Sequence, residues 1–247
     1  MRKTIFLFLG AALWAVYPAD LKFSPSQGWK SLLRPDLNGW RGLDPAKPNE
    51  WEAVASVGLL EANPKLFAMA PLPAGGGGIV VNGKAGKTVN LITVEPHGDV
   101  EAYVEFTVLQ GSNSGVYFQG RYEVQILDSH QKKDLAFSDC GGIYARYIDQ
   151  KVVGGAPPRV NASRAPGEWQ SFHVWFRAPR FDAAGRKTEN ARFVKVVHNG
   201  VTIHENVEVE GPTRASMTTP EGPAGPLMLQ GDHGPVAFRQ IYLRKLP

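Results

Sequence analysis

Hydrophobic and polar residues alternate with a period of two along most of the chain. From Asp99 to Val108 the even-numbered positions are apolar and the odd-numbered ones are mostly polar, which is typical of a half-buried antiparallel strand. Similar runs occur at residues 115–118, 122–127, 142–147, 169–177, 191–197, 201–209, 226–230 and 236–243. About ten short strands of this kind predict an all-β fold, an antiparallel sandwich of two sheets.

Turn residues separate these runs. Asn199-Gly200 lies between two alternating segments and predicts a tight hairpin, because both positions of a type I′ turn need positive φ. The Pro- and Gly-rich region 66–78 is interpreted as a surface loop, and helix is expected only as short turns, for example around Pro48 to Val54. No long linker follows residue 20, so residues 20–247 are expected to form a single domain.

Composition narrows the class of protein further. The chain has 247 residues, of which 27 are Gly and 19 are Pro, a content that excludes a helical bundle or a coiled coil. Hydrophobic residues make up 43%, enough for a full core. The formal net charge is only +4 and the Lys and Arg residues are scattered, so we expect no nucleic-acid partner.

The first residues have the pattern of an export signal. Arg2 and Lys3 precede about a dozen apolar residues, too few to span a membrane comfortably. We therefore expect a signal peptide at residues 1–19, cleavage near Ala19, and a periplasmic or secreted product with no membrane span after signal removal. An uncleaved membrane tether is the alternative.

Two local features are interpreted as structural. Cys140 is the only cysteine, so no intramolecular disulfide can form, and the neighbouring Asp139 disfavours its thiolate. The segment from Gly78 to Lys84 fits the start of a phosphate-binding loop, but Ala85 replaces the Ser or Thr that would hold Mg²⁺. Neither feature predicts chemistry.

The segment from Tyr122 to Leu127 carries two polar side chains on one face of a strand. Alternation directs Tyr122, Val124 and Ile126 towards the core, so Glu123 and Gln125 project together on the other face, about 7 Å apart. A carboxyl group beside an amide is a suitable arrangement for binding a sugar. Asp128 follows at the end of the strand, where it could join such a site or cap the turn.

Three blocks of the sequence, in order, resemble one known family. They are residues 28–40 (GWKSLLRPDLNGW), residues 113–129 (NSGVYFQGRYEVQILDS) followed by Gly141-Gly-Ile-Tyr144, and residues 225–243 (GPLMLQGDHGPVAFRQIYL). The family is the 3-keto-disaccharide hydrolase domain, formerly the domain of unknown function 1080. The chain departs from its pattern at Arg34-Pro35, at an inserted Gly231 and at Gln240.

The resemblance implies a jelly-roll sandwich of the concanavalin A-like lectin and glucanase type that acts on 3-keto sugars outside the cytoplasm. It also implies the site: Glu123, His233 and Asp128 as catalytic candidates, with the substrate bound by Asn113, Arg121, Gln125, Tyr144, Gln230 and Arg239. A 3-keto group acidifies the C2 hydrogen, so the glycosidic oxygen can leave by elimination and water can add back. This route needs a base, an acid and donors at the enolate.

Several alternatives stay open at this point. Direct hydrolysis by two carboxylates would pair Glu123 with Glu101, Glu105 or Asp128. A divalent metal ion is a possible cofactor, held by Asp128, Asp232 or His233. The remaining histidines are interpreted as loop or strand-surface residues: 97, 130, 173, 198 and 204. A non-catalytic carbohydrate-binding module on the same fold is the rival function, because a jelly roll serves both purposes.

Overall fold

The computed structural model describes residues 23–74 and 78–246, so the proposed signal at 1–19 lies outside the described residues. The described chain is built from strands and contains no helix. The strands are β1 (Lys30–Ser31), β2 (Trp40–Gly42), β3 (Glu52–Leu60), β4 (Asn63–Pro71), β5 (Ile79–Val81), β6 (Leu91–Thr93), β7 (Val100–Val108), β8 (Asn113–Phe118), β9 (Tyr122–Leu127), β10 (Arg146–Ile148), β11 (Lys151–Val153), β12 (Gln170–Arg177), β13 (Arg180–Phe181), β14 (Lys187–Glu189), β15 (Ala191–His198), β16 (Val201–Val209), β17 (Met228–Leu229) and β18 (Val236–Lys245).

Two sheets form the sandwich. The larger has nine strands in the order β16-β15-β12-β7-β18-β5-β3-β4, with β1 also paired to β18. The smaller has five strands in the order β2-β6-β17-β8-β9, and two separate hairpins, β10-β11 and β13-β14, project from the sandwich. The neighbouring strands pair antiparallel. This architecture confirms the predicted two-sheet jelly roll.

The core lies between the two sheets and is filled by the alternating apolar positions. Aromatic rings bridge the layers: Phe118 of the smaller sheet lies 5.1 Å from Phe176 of the larger one, and Phe176 lies 5.3 Å from Phe193. All three side chains are completely buried. Burial of large aromatic surfaces is the main stabilising term in such a sandwich.

Strand β7 is buried on both faces, whereas its alternation predicted a half-buried strand. Its outer face carries Glu101, Tyr103 and Glu105, which are buried by partners that alternation cannot show. Phe23 stacks on Tyr103 at 3.9 Å, and Arg239 donates to Glu105 at 2.6 Å. An N-terminal segment and a row of ion pairs therefore cover this face of the larger sheet.

The structure confirms the predicted hairpin at Asn199-Gly200 and the predicted strand at Val80-Val81. Asn199 and Gly200 join β15 to β16 with φ values of 50° and 84°, as a type I′ turn requires. Val80 and Val81 lie in strand β5, and Gly83 follows the strand with a φ of 73°, so the segment resembling a phosphate-binding loop has no helix after it.

Three local expectations were wrong. Residues 48–54 form no helical turn, since β3 begins at Glu52, and the first part of the presumed loop 66–78, as far as Pro71, belongs to β4. The two strands pair as a hairpin at the edge of the larger sheet, with the side chains packed around Trp169. Most of 142–147 runs beside β9 without forming a regular strand, and only an isolated bridge joins Ile143 to Val124.

Two further facts bear on the class of protein. No helix in the part of the chain that is described is long and apolar enough to cross a membrane. Cys140 is buried, and burial raises the pKa of its thiol to about 12, as expected for a structural cysteine.

Candidate active site

The register between β8 and β9 brings the candidate residues together. Tyr117 lies opposite Glu123, and Gly115 lies opposite Gln125. The backbone N–H of Gln230 donates to the carbonyl of Gly115 at 3.0 Å, which extends β17 by one residue along β8. Because side chains directly across a ladder point to the same face, these five residues share the outer face of the smaller sheet, away from the core.

Gly115 determines where the carboxyl group of Glu123 lies. A Cβ atom at position 115 would collide with Oε1 of Glu123 and would touch the ring of Tyr117 at 3.0 Å. The carboxyl group and the phenol ring therefore pack directly over the glycine backbone. This close approach explains why a residue without a side chain stands in the middle of a strand.

The carboxyl group of Glu123 is shifted towards its neutral form. The residue is only 2% exposed, and burial raises its pKa from 4.5 to about 8, with a further increase from the charge of Asp232. The hydroxyl of Tyr117 opposes this shift by hydrogen bonding to the carboxyl group. Burial also raises the pKa of Tyr117 well above its usual value, so that hydroxyl keeps its proton and acts as a donor.

Three amide oxygens on this face have no hydrogen-bond partner among the described residues. They are Oδ1 of Asn113, Oε1 of Gln125 and Oε1 of Gln230, and all three atoms are buried. The amide nitrogen of Gln125 is held by the carbonyl of Ser138 at 3.1 Å, which fixes the orientation of its oxygen. Buried acceptors are normally paired, so these oxygens are suited to receive hydroxyl donors from a ligand.

Asp232 and His233 form the exposed side of the site. Nδ1 of His233 lies 2.5 Å from Oδ1 of Asp232, and both side chains are about half exposed. The inserted Gly231 is accommodated by hydrogen bonds to the residues just before β6, for example from its N–H to Oδ1 of Asn90 at 3.0 Å. The insertion therefore leaves Asp232 close enough to Glu123 to raise the pKa of its carboxyl group.

The rim of the site is built by segments that pair with the free edge of β9. The N–H of Tyr144 donates to the carbonyl of Glu123 at 3.1 Å, and the N–H of Glu123 donates to Oγ1 of Thr213 at 3.2 Å. The hydroxyl oxygen of Tyr117 also lies 3.4 Å from the carbonyl oxygen of Arg214. Tyr144 and the 213–214 segment thus stand beside the buried carboxyl group.

Arg121 is not available to a substrate. Its guanidinium group donates to the carbonyls of Gln119, Thr219 and Pro220 and to the hydroxyl of Thr219. The residue is 5% exposed, and burial lowers its pKa. This corrects the predicted binding role, because the arginine fastens the chain around residues 219–220.

Arg239 and Asp128 also lie elsewhere. Arg239 is on the larger sheet, where its Nε donates to Glu105 at 2.6 Å and its guanidinium group lies 4.5 Å from the centre of the Trp169 ring. The carboxylate of Asp128 accepts the N–H of Gly111 at 3.0 Å and caps a turn. We therefore remove both residues from the candidate site.

Glu101 and Glu105, considered as the second carboxylate beside Glu123, also lie outside the candidate site. Glu101 is on the larger sheet, bonded to His173 at 2.7 Å and to Arg244 at 2.6 Å, and Glu105 is held by Tyr103 and Arg239. Asp232 is instead the carboxylate whose charge acts on Glu123, a role that alternation did not indicate. Tyr117 was also missed, although its parity with Gly115 in the sequence placed it on this face.

The predicted metal ligands do not assemble. The described residues contain no cluster of three or more His, Cys, Asp or Glu side chains that could hold a metal ion. Asp128 is engaged in its turn, which leaves Asp232 and His233 as an isolated pair. This donor set does not fit the divalent ion that the sequence left as an alternative.

The fold and the site define a class of protein: a jelly-roll sandwich with a polar sheet face around a buried carboxyl group. The chain belongs to the family of the 3-keto-alpha-glucoside-1,2-lyase-like domain, whose sequence model matches residues 28–244. The glycosyl hydrolase-like character of that family agrees with the resemblance noted in the sequence.

Solved structures support the same assignment. A candidate glycosyl hydrolase from Parabacteroides distasonis is 25% identical, with a TM-score of 0.61 over 89% of this chain and 84% of its own. A second one from the same organism is 18% identical, with a TM-score of 0.55 over 88% of this chain and 99% of its own, and supports the fold. A comparison with curated protein sequences finds no match.

Proposed function

We propose that this protein is an exported enzyme that cleaves 3-keto-glycosides, with Glu123 as the residue that transfers the proton at C2 of the sugar. The observation that carries the proposal is a buried carboxyl group beside a tyrosine hydroxyl. Three amide oxygens on the same sheet face have no hydrogen-bond partner among the described residues. The family of the chain supports the substrate class.

The raised pKa of Glu123 suits this role. At neutral pH a carboxyl group with a pKa of about 8 is mostly neutral, and its anion is a far stronger base than an ordinary carboxylate. The anionic fraction removes the C2 proton, and the resulting electron pair delocalises onto the oxygen of the C3 carbonyl. The Tyr117 hydroxyl stabilises the carboxylate by hydrogen bonding and keeps it oriented.

The second step consumes only water. As the C3 carbonyl reforms, a double bond forms between C1 and C2, the glycosidic C1–O bond breaks, and the departing oxygen takes a proton. We assign this proton to His233, which contacts Asp232 and is half exposed. Water then adds across the double bond, with its hydroxyl at C1 and a proton at C2, which completes a net hydrolysis.

Substitution of Glu123 tests the assignment. We expect Glu123→Gln to bind a 3-keto-glucoside with little change but to lose turnover by about 10²- to 10⁴-fold, because the amide keeps the shape but cannot exchange the proton. The measurement is kcat with 3-keto-trehalose, beside binding by calorimetry. Gln125→Glu would change the site itself, so the control is Asp128→Asn. Asp128 caps a turn outside the site, and this variant should keep near-normal turnover. Unchanged turnover in Glu123→Gln would remove this residue from the mechanism.

Reaction in heavy water distinguishes elimination from direct displacement. Proton removal and hydration introduce deuterium at C2 of the released 3-keto sugar, whereas displacement at C1 does not. The measurement is mass spectrometry of the product, with the unreacted sugar incubated alone as the control for spontaneous exchange. A product without enzyme-dependent deuterium at C2 would contradict the elimination route.

A non-catalytic carbohydrate-binding module is the second candidate function. The unpaired amide oxygens favour it, since they could bind sugar hydroxyls without any proton transfer. In that case the wild-type protein would bind 3-keto-trehalose and never release a product.

Export rests on the sequence pattern of the first residues, two cations followed by an apolar run. We expect the mature protein in the periplasmic or culture fraction, with its N-terminus near residue 20 when sequenced by mass spectrometry. An intact Met1 in the recovered protein would favour the membrane tether.

A further inference from the structure

The hairpin formed by β10 and β11 presents an apolar surface next to the candidate site. Tyr147 and Val152 are directly opposite each other and lie on one face of the hairpin, with 49% and 55% of their surfaces exposed. Asp149 and Gln150 at the turn both have positive φ, which defines a tight and well-oriented connection. Together the two side chains form a small exposed apolar surface.

This surface is connected to the site through one residue. The guanidinium group of Arg214 lies 4.8 Å from the centre of the Tyr147 ring, and the carbonyl oxygen of Arg214 lies 3.4 Å from the hydroxyl oxygen of Tyr117. The N–H of Arg214 also donates to the carbonyl of Ala145 at 2.9 Å, just before the hairpin. Tyr144, which bonds to Glu123, precedes Tyr147 by only three residues, at most ~10 Å of chain.

We propose that the face made of Tyr147, Val152 and Arg214 binds the aglycone of the substrate and selects 3-keto-glucosides with an aromatic leaving group. This inference rests on the proposed function, because it assumes that the sugar ring occupies the face around Glu123. The leaving group on C1 then extends towards the rim, where the hairpin stands.

The chemistry of the face favours an aryl group over a second sugar. Val152 has no hydrogen-bonding atom, so a hydroxylated ring placed against it would lose water contacts without replacement. An aromatic ring instead buries apolar surface against Tyr147 and Val152. The guanidinium group of Arg214 adds a cation next to the π-system, as aromatic ligands prefer.

Binding measurements test the proposal without requiring turnover. The probes are phenyl and methyl glucosides of each anomer that keep the 3-hydroxyl group, titrated into the wild-type protein by calorimetry. We expect the phenyl glucoside to bind more tightly, and Tyr147→Ala to weaken it by about tenfold while the methyl glucoside changes less than about twofold. Equal binding of the two probes by the wild type would overturn the proposal.

Matched variants separate the aromatic contact from general damage to the hairpin. Tyr147→Phe keeps the ring and should keep the phenyl preference, and Ile148→Ala removes a 44%-exposed side chain from the opposite face and should change nothing. If Tyr147→Ala lowers the melting temperature, Val152→Thr is used in its place. This variant is nearly isosteric and should reduce the phenyl preference in part. An equal loss in Ile148→Ala and Tyr147→Ala would contradict the proposed face.

Kinetics with the corresponding 3-keto-glucosides distinguish a failure of the aglycone surface from a failure of the proposed function. Both ideas predict turnover with the higher kcat/KM for the phenyl substrate, and loss of that advantage in Tyr147→Ala mainly through KM. Turnover without any phenyl preference would refute the aglycone surface alone. Absence of turnover for every 3-keto-glucoside, with the phenyl preference in binding retained, would refute the proposed function alone.

Discussion

At the scale of single residues, the site depends on one missing side chain. Gly115 permits the carboxyl group of Glu123 and the ring of Tyr117 to pack over its backbone. The packing excludes water from the carboxyl group, and this exclusion is the first cause of its raised pKa. A glycine in a strand interior costs stability, so its presence here is explained by the close approach.

Substitution of Gly115 is therefore expected to damage the site more than the fold. In Gly115→Ala the new methyl group displaces the Glu123 carboxyl group, so turnover should fall at least tenfold, while overpacking should cost about 1–3 kcal/mol of the free energy of unfolding. Activity assays and denaturant unfolding measure the two effects. Gly58→Ala is the matched control, since Gly58 also lies in a strand but has open space at its Cβ position. Full activity in Gly115→Ala would show that the carboxyl group need not lie there.

At the scale of elements, the smaller sheet holds the site and loops complete it. The segment 213–225 crosses the end of β9 and β8, where the N–H of Thr213 bonds to the carbonyl of Arg121 at 2.8 Å and the N–H of Met217 to Gly120 at 2.8 Å. The side chain of Arg121 anchors the middle of the same segment through the carbonyls of Thr219 and Pro220. One arginine thus positions Arg214 and the rim of the site indirectly.

Loss of this anchor is expected to affect stability first. Arg121→Met leaves the carbonyl of buried Gln119, and those of the exposed residues Thr219 and Pro220, without their donor. The free energy of unfolding should therefore fall by about 1–3 kcal/mol, mainly through the buried acceptor. Activity should fall in proportion to loosening of the rim, with kcat and KM both changed. Arg192→Met is the control, because Arg192 forms a half-exposed ion pair with Glu208 that is worth little. A large rise in KM with unaltered stability would instead indicate direct contact with the substrate.

At the scale of the whole molecule, buried ionisable groups predict how stability varies with pH. Burial lowers the pKa of His97 to about 4 and that of His198 to about 3, although the sequence placed both histidines at the surface. Their native states are neutral, so the unfolded chain binds protons that the folded chain does not, and stability falls as the pH decreases below about 6.5. Each such proton changes the free energy of unfolding by about 1.4 kcal/mol per pH unit.

Glu123 acts in the opposite direction on the alkaline side. Its folded pKa of about 8 exceeds the ordinary value of 4.5, so the folded chain holds a proton that the unfolded chain releases. The associated stability is complete below pH 4.5 and is lost as the pH rises to 8. Together with the histidines, this predicts maximum stability near pH 6.5.

The pH profile of the Glu123→Gln variant checks this explanation. The variant should lack the decline in stability between about pH 6.5 and 8 but keep the decline in acid, because the histidines are unchanged. Urea unfolding at several pH values gives both slopes. An unchanged decline above pH 6.5 in the variant would contradict the raised pKa of Glu123.

The alternation of residues 122–127 was sufficient to predict that Glu123 and Gln125 share a face. Their partners depended on pairing between distant segments. Tyr117 was identified once the β8–β9 register was known, and the effect of Asp232 on the pKa of Glu123 appears only in the folded chain. Arg121 and Arg239 matched the family pattern as well as Glu123 did, yet hydrogen bonds to carbonyls and to Glu105 engage their side chains elsewhere.

The sequence by itself determined the class of the fold, the position of its tight turns and the face of β9 that carries polar groups, because these depend on a period of two and on local φ preferences. Only the tertiary structure decided which polar groups meet, since strand order and loop packing bring together residues more than a hundred positions apart, such as Ser114 and Gln230. It also decided the chemistry available to Glu123, because a pKa depends on burial and neighbouring charge in three dimensions.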